Sequence, residues 1–214
     1  MNGLDLMPLF RGLLWTITLT GGAFLIGSVL AVPLLLARRS RVWLVRFVAM
    51  SVIQIVRGIP PILWLFIIFF GLGMGFLPVS PFGAALAGLG LIAAANMAEI
   101  YRGALSSIHF GQFEAANALD LGRWSTFRDV VAPQAFRVAL PTAASYLIGL
   151  MKETAVASTI GVTELAFHGK QMSQLTFRGL EVYALVGLFY IALSLPVAWA
   201  SRAADSRLRA RVAR

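Results

Sequence analysis

A few charged and amide side chains stand inside long apolar stretches of this sequence. Asn96, Glu99 and Arg102 recur at every third residue, so they share one side if the segment is helical. An ionised group in apolar surroundings is costly, and it is usually paired or functional. In one interpretation Asn96 and Glu99 line a pathway, and Glu99 attracts an ammonium or guanidinium group of a passing solute. In the other, Glu99 pairs with Arg102 or Arg57 and only fixes the helix.

Lys152 and Glu153 form a second charged pair inside an apolar stretch. They contact a solute or gate its passage, or else they neutralise each other or groups on a neighbouring helix; a structural or gating role is favoured. A lysine near Ser145 or Ser158 could also act as the base of an intramembrane enzyme with a serine nucleophile. No nucleophile elbow, metal set or oriented triad supports that function, so it is disfavoured.

Residues that bind metals or form disulfides are scarce. His109 and His168 stand alone, outside any metal-ligand spacing, which indicates loop or interface positions. The absence of cysteine excludes disulfides, thiolate metal sites and a cysteine nucleophile. The sequence also lacks a G-x-x-x-x-G-K-[ST] motif, so the chain cannot cradle the phosphates of ATP. We therefore expect no metal and no cofactor in this chain.

The elements that must position these residues are membrane-spanning helices. Of the 214 residues, 59% are hydrophobic and only 13% are charged, which is more apolar than an ordinary soluble domain. Several apolar runs approach the roughly 20 residues that a helix needs to cross a bilayer. Alternating segments of the outer-membrane barrel type are absent. The composition predicts an all-α integral membrane protein with a single domain over residues 1–214.

Five spans are predicted along the chain. Arg57, Gly58, Pro60 and Pro61 interrupt the second apolar stretch, and proline removes a backbone donor, so we expect a broken helix whose span begins near Pro60. The third span is rich in glycine and alanine, which lets helices approach closely in lipid. The spans cover residues 14–36, 60–77, 81–101, 138–160 and 182–200, and the longest polar connection is 102–137.

The distribution of lysine and arginine orients the chain in the membrane. Thirteen of the 18 basic residues lie in one alternating set of connections, formed by 38–46, 102–137 and 202–214. The opposite set holds only Arg11, Lys170 and Arg178. Because cytoplasmic loops carry the basic excess, the N-terminus is expected outside and the C-terminus in the cytoplasm. The arginines flank apolar runs, so the net charge of +9 does not indicate a nucleic-acid partner.

The connection 102–137 contains two short helix-forming segments. Residues 112–121 favour a helix that is closed by Gly122, and a second helix is predicted to begin at the N-cap Ser125 and end at Pro133. Two short helices outside the membrane, with aromatic and leucine side chains, are able to enter a groove on a cytosolic partner. The alternative is a surface loop that folds against its own bundle. The residues alone leave both interpretations open.

This connection resembles the cytoplasmic EAA signature of ABC importer permeases. That signature has Glu-Ala-Ala, then a glycine, and ends in a hydrophobic-x-hydrophobic-Pro sequence; the matching residues are Glu114, Ala115, Ala116, Val130 and Pro133. Further motifs resemble the polar amino acid uptake branch, which includes histidine and glutamine permeases, over about residues 12–200. These motifs are Arg57-Gly58-Ile59-Pro60, Glu99-Ile100-Tyr101-Arg102-Gly103, Lys152-Glu153-Thr154, Ile160-Gly161-Val162 and Glu164-Leu165.

The sequence departs from this pattern at a few positions. The glycine of the loop is replaced by Asp120, with Gly122 two residues later, and the leucine before the closing proline is Ala132. Aspartate caps or turns a helix nearly as well as glycine, so we expect the same overall shape with the bend moved to Gly122. Asn96 stands where the branch commonly has an aromatic residue, which indicates altered substrate choice.

The resemblance implies a type I ABC importer transmembrane domain that works together with separate partner subunits. Two permease chains, identical or homologous, would enclose a pathway for a polar amino acid or derivative in the bacterial inner membrane. Two cytosolic ATPases would bind ATP and Mg and dock onto the loops, and an external solute-binding protein would deliver the solute. The implied docking residues are Glu114, Ala115, Ala116, Leu119, Asp120, Leu121, Gly122 and Pro133, and the pathway candidates are Arg57, Asn96, Glu99, Lys152 and Glu153. A secondary transporter is the alternative, but it would leave the EAA-like loop unexplained and usually shows internal repeats.

Overall fold

The structure, a computed structural model, describes residues 5–73 and 78–210, with side chains as far as residue 206. Within these ranges the chain is helical and contains no strand, as predicted. Helices α1 to α9 are Met7–Arg38, Trp43–Gly58, Pro61–Phe66, Pro81–Ser106, Phe110–Ala118, Arg123–Ser125, Ala132–Glu153, Leu165–Thr176 and Gly179–Ala210. Three helices continue in another form: α3 as the π-helix Ile67–Leu72, α6 as the π-helix Thr126–Val131, and α7 as the 3-10 helix Thr154–Ile160.

The number of apolar spans is lower than the five expected. Among the described residues, α1, α4 and the part Gly179–Ser206 of α9 are long and apolar enough to cross a membrane, and they coincide with the first, third and fifth predicted spans. The bent pair of α2 and α3 is a fourth if it counts as one span. The predicted span 138–160 falls on α7 and its 3-10 extension, which is not among them. Polar residues such as Gln134, Arg137 and Thr142 lower the apolar content of α7.

The predicted break in the second span is present. α2 ends at Gly58, Ile59 and Pro60 are extended, and α3 leaves at 102° to α2. A broken helix leaves backbone carbonyls without partners, and the indole N–H of Trp64 donates to the carbonyl of Val56 at 3.1 Å across the break. The predicted break at the prolines is therefore present, and α2 and α3 are long and apolar enough for a span only as one bent pair. The end of the predicted range, residues 74–77, lies outside the described residues.

The centre of the bundle is the contact between α1 and α4. Leu19 and Ala23 on α1 and Leu89 on α4 are fully buried there. At Gly27 the two backbones come so close that a Cβ would lie 2.8 Å from the carbonyl carbon of Ala93. Small residues on both helices make this approach possible. In lipid, where the surroundings are as apolar as the side chains, such close packing holds helices together.

The predicted connection between the fourth and fifth spans contains a helix that the sequence reasoning missed. α8, Leu165–Thr176, packs against α1 and α9, and Met172 is buried in the cluster that it shares with them. The helix ends at Phe177, which has a positive φ of 55°. Its start is capped by the Glu164 side chain, which accepts a hydrogen bond from the backbone N–H of Phe167. This cap, an acidic residue before an apolar run, was the available sequence signal.

Candidate functional site

The segment between α4 and α7, residues 107–131 and here named the α4–α7 loop, carries the helix α5. His109 caps α5, and its Nδ1 accepts a hydrogen bond from the backbone N–H of Gly111 at 3.1 Å. The predicted helix 112–121 is therefore present but shifted, since α5 covers Phe110–Ala118. The loop is shorter than the predicted connection because α4 continues to Ser106 and α7 begins at Ala132.

The turn after α5 is built on Asp120 and not on Gly122. Asp120 has a φ of 53°, its N–H donates to the carbonyl of Asn117 at 3.0 Å, and the N–H of Leu121 donates to the carbonyl of Ala116 at 3.0 Å. These two bonds and the left-handed residue form a Schellman motif. The expected shift of the bend to Gly122 is therefore wrong, because aspartate tolerates the left-handed conformation.

Gly122 has a different role from the one expected. Its φ is −61° and ψ is 156°, and it is the N-cap of α6, so the second segment begins at Arg123 instead of after Ser125. The segment also does not end at Pro133: Thr126–Val131 runs directly into α7. Pro133 therefore lies inside a continuous helical segment, directly after the π-helix, where proline lacks the N–H for a bond to the carbonyl four residues earlier.

The outer surface of the α4–α7 loop is apolar and exposed. Leu119 is 73% exposed, and Trp124 and Phe127 are exposed beside each other with ring centroids 6.0 Å apart. Glu114 and Ala115 are exposed on α5, so they too are accessible to a partner.

The remaining residues of the implied docking set differ in their exposure to solvent. Ala116 is only 2% exposed and packs inside this chain, so it cannot supply a contact surface to another protein. Asp120, Gly122 and Pro133 are exposed, whereas Leu121 is partly buried.

Four polar residues from three helices come together and form what we name the polar cluster: Arg57, Asn96, Tyr146 and Glu153. The Nε of Arg57 donates to Oδ1 of Asn96 at 3.1 Å, and Nδ2 of Asn96 donates to the carbonyl of Ile92 at 2.9 Å. Tyr146 lies beside Asn96 and within electrostatic range of Glu153 and Arg57. The Tyr146 hydroxyl and Oε2 of Glu153 are buried without a hydrogen-bond partner in the described part of the chain.

Tyr146 was missed by the sequence reasoning, although its position gave a signal. It precedes Glu153 by seven residues, two helical turns, and so lies on the same side of α7. Lys152 is exposed, and no ion pair to it exists among the described residues, so Lys152 and Glu153 do not neutralise each other.

Glu99 lies in a separate ion network. Its carboxylate is 3.1 Å from Nε of Arg38 on α1 and 3.0 Å from Nε of Arg102 on α4, and the side chains of Glu99 and Arg38 are 15% and 16% exposed. Arg57 does not take part, since it bonds Asn96. The sequence allowed Glu99 to attract a solute or to pair with an arginine; the geometry is that of a carboxylate clamped between two guanidinium groups.

A buried carboxylate at the start of α8 joins three helices. Oε1 of Glu164 accepts from the N–H of Phe167 at 2.7 Å, and Oε2 accepts from the hydroxyl of Tyr190 on α9 at 2.9 Å. Thr16 on α1 accepts from the N–H of Leu165 at 3.1 Å. Burial raises the pKa of Glu164, and these hydrogen bonds oppose only part of that rise. Glu164 therefore fixes α8 to α1 and α9.

Comparison with known proteins identifies this arrangement. Residues 23–210 match the protein family described as "Binding-protein-dependent transport system inner membrane component". The chain belongs to this family. It is a transmembrane permease subunit of an ABC importer, and its α4–α7 loop contains the residues that resemble the EAA signature.

Curated relatives of this permease are amino acid transport proteins. The probable amino-acid ABC transporter permease protein YckA of Bacillus subtilis (strain 168) is 37% identical over 86% of this chain and 81% of its own length. The glutamine transport system permease protein GlnP of Escherichia coli (strain K12) is 37% identical over 78% of this chain and 77% of its own. The octopine transport system permease protein OccM of Rhizobium radiobacter is 37% identical over 81% and 74%.

Solved structures share the fold of this permease. A crystal structure of an amino acid ABC transporter with histidines superposes with a TM-score of 0.87 at 27% identity, covering 96% of this chain and 99% of that chain. The inward-facing MetNI methionine ABC transporter superposes with a TM-score of 0.77 over 94% and 95%, and at 23% identity it supports the fold alone. The fold is that of a type I ABC importer transmembrane domain.

Proposed function

We propose that this permease carries a polar amino acid or amino acid derivative across the inner membrane, powered by ATP hydrolysis in partner ATPases that bind its α4–α7 loop. The substrate class is supported by the relatives, whose names refer to amino acids, glutamine and octopine. The proposal that ATPases dock here rests on one observation. Leu119 and Trp124 form an exposed apolar surface on a loop outside the spans. Exposed apolar patches of this kind are typical of protein interfaces.

The polar cluster is the proposed contact site for the solute. An amino acid carries a carboxylate and an ammonium group, and the cluster offers the guanidinium of Arg57 and the carboxylate of Glu153 in one place. Oε2 of Glu153 and the hydroxyl of Tyr146 are buried and have no hydrogen-bond partner within the described residues. Such atoms have lost their bonds to water, and a solute that hydrogen-bonds to them would offset this cost. Glu99 is assigned a structural role, because both of its oxygens face arginines. Lys152 is assigned to the mouth of the pathway.

The assembly that this function requires has several parts. It contains a second permease chain, identical or homologous, two cytosolic ATPases that bind ATP and Mg, and an external solute-binding protein. The chain forms one domain over residues 1–214 and is not itself catalytic. The excess of basic residues in one set of connections supports an orientation with the N-terminus outside and with the α4–α7 loop and the C-terminus in the cytoplasm. Closure of the ATPases would move the docked loops and rock the permease halves between inward-facing and outward-facing states.

The docking surface is tested by Leu119→Ser. Removing a buried leucine from an interface costs about 1.5–3 kcal/mol, which weakens binding by roughly 10-fold to 100-fold. We expect co-purification of the ATPase and solute-stimulated ATP hydrolysis in liposomes to fall together, while membrane insertion stays normal. Leu175→Ser is the matched control, because Leu175 is also highly exposed, at 82%, but lies at the end of α8.

Two results would contradict the proposal. If Leu119→Ser leaves both ATPase co-purification and stimulated hydrolysis unchanged, the α4–α7 loop is not the docking element. If Leu175→Ser has the same effect as Leu119→Ser, the loss reflects general damage to the permease. Glu153→Gln tests the pathway separately: transport should fall while the ATPase still co-purifies, and undiminished transport would remove Glu153 from the solute site.

A further inference from the structure

An open cavity of about 690 Å³ lies between the ends of α1 and α4, the start of α7 and the α4–α7 loop. Its wall is mostly apolar and includes Val32 and Leu36 of α1, Ala139 and Phe136 of α7, and Phe113 of α5. The volume falls within the range of about 300–1,000 Å³ that is usual for sites of small amphiphilic molecules. None of these residues belongs to the polar cluster, so the cavity is distinct from the proposed solute site.

The depth of the cavity follows from its position on α1. The helix ends at Arg38, and Arg39 is its C-cap, so Val32 and Leu36 lie in the last two turns before the basic membrane boundary. The α4–α7 loop forms the opposite side of the cavity, beyond the apolar part of the helices. In the proposed orientation, the cavity would lie near the level where acyl chains meet headgroups in the cytoplasmic leaflet.

Two arginines line the cavity without a counter-charge. Arg39 and Arg123 are exposed, and neither guanidinium makes an ion pair or a hydrogen bond within the described residues. Other arginines near the ends of the helices are neutralised, as Arg38 and Arg102 are by Glu99. No acidic side chain lines the cavity. Its polar side is therefore complementary to an anion, and the rest of its wall to a hydrocarbon chain.

We propose that this cavity binds an anionic phospholipid from the cytoplasmic leaflet, with the phosphate between Arg39 and Arg123 and one acyl chain against α1 and α7. Basic pockets between spans on the cytoplasmic side are suited to anionic headgroups. The bound lipid contacts Phe113 and Asn117 of α5, and so it supports the loop that docks the ATPase. The inference rests on the proposed function, because the orientation and the docking role of the loop define which leaflet the cavity faces.

Lipid retention by the complete complex, permease with its partner chains, tests this inference. The complex is purified in neutral detergent, mixed with equal amounts of phosphatidylglycerol and phosphatidylcholine, and examined by native mass spectrometry. We expect selective retention of phosphatidylglycerol, reduced roughly 30-fold by the double substitution Arg39→Gln and Arg123→Gln. Arg46→Gln is the matched control, because Arg46 is exposed, lies outside the α4–α7 loop and does not line the cavity.

Two further arms distinguish a lipid from its headgroup alone. Val32→Trp changes a residue that lines the cavity and is 47% exposed, so it fills the apolar part, leaves both arginines and should also reduce retention of phosphatidylglycerol. Soluble glycerol 3-phosphate should not displace the lipid, because it lacks the acyl chain. In nanodiscs, phosphatidylglycerol should raise ATP hydrolysis by the wild type and the Arg46→Gln complex, and should have little effect on the double variant.

Equal retention of phosphatidylglycerol by the wild type and the double variant would overturn the inference, as would displacement by glycerol 3-phosphate. Loss of the ATPase or of the second permease from the double variant would also overturn it, because the arginines would then belong to a protein interface. Co-purification of the ATPase with the double variant keeps the proposed function intact whatever the lipid result. A failure of the lipid site is therefore distinguishable from a failure of ATPase docking.

Discussion

The left-handed turn at Asp120 should respond to substitution in opposite ways depending on the side chain. A non-glycine residue in this conformation costs about 1–2 kcal/mol, and a β-branched residue is the least tolerated. Asp120, with a φ of 53°, lowers that cost because its short polar side chain is compatible with the turn. Asp120→Val should therefore destabilise the turn by about 1–2 kcal/mol, and Asp120→Gly should leave it as stable or slightly more so.

The assay for this prediction is the affinity of the ATPase for the reconstituted permease. If the turn must form for docking, a cost of about 1–2 kcal/mol in Asp120→Val reduces affinity by roughly 5-fold to 30-fold. Asp129→Val is the control, since Asp129 lies on the same loop in a helical conformation. Two results would refute the reasoning. Asp120→Val with unchanged affinity means that the Schellman turn is not needed, and Asp120→Gly as harmful as Asp120→Val means that the carboxylate itself makes a contact.

The remaining predictions concern packing, charge and orientation. Gly27→Ala should prevent assembly of the folded permease, measured by size-exclusion chromatography, whereas Gly21→Ala should not, because a Cβ meets nothing within 4 Å there. Glu99→Gln should lower the free energy of unfolding by about 1–3 kcal/mol, since it leaves the partly buried Arg38 and the more exposed Arg102 without a carboxylate; a stable variant with impaired transport would favour a solute contact instead. Introduced into a chain without cysteine, Gln174→Cys should react with an impermeant thiol reagent from outside and Arg128→Cys should not. The reverse pattern would invert the topology.

Much of the fold follows from sequence because long apolar runs and prolines act locally. The helices α1, α4 and α9 coincide with predicted spans, and the break near Pro60 is where proline removes a donor. α7 was harder to place as a span. It combines a membrane-length helix with polar residues, and whether such a helix is shielded from lipid depends on its neighbours, here α4 and α9. α8 was missed because a helix between spans has no apolar run long enough to mark it.

The candidate site was only partly accessible from sequence, for a similar reason. Spacing along α4 showed that Asn96 and Glu99 share a side, but it could not show that they face different helices. The partner of Glu99 on α1 is Arg38, which is 61 positions away in the chain. The sequence reasoning used Arg38 only in the count of basic residues that orients the chain. Likewise, Glu-Ala-Ala does not reveal that Ala116 faces inward while Ala115 is exposed. Which side chains pair between two helices depends on how the helices pack, and spacing along one helix does not reveal it.

The two carboxylates on α4 and α7 also indicate which parts of the permease move during transport. Glu99 joins α4 to Arg38 of α1, and the close approach at Gly27 packs the same two helices along their length. Sliding one past the other would separate buried charges and force backbones into contact, so α1 and α4 move as one unit. Glu153 on α7 makes no ion pair within the described residues. α7 is also continuous with the α6 segment of the loop that the ATPase is proposed to bind. If the ATPases bind the loop as proposed, we expect its motion to reach α7 first and to change the position of Glu153 relative to Arg57 and Asn96, while the α1–α4 pair provides the fixed wall.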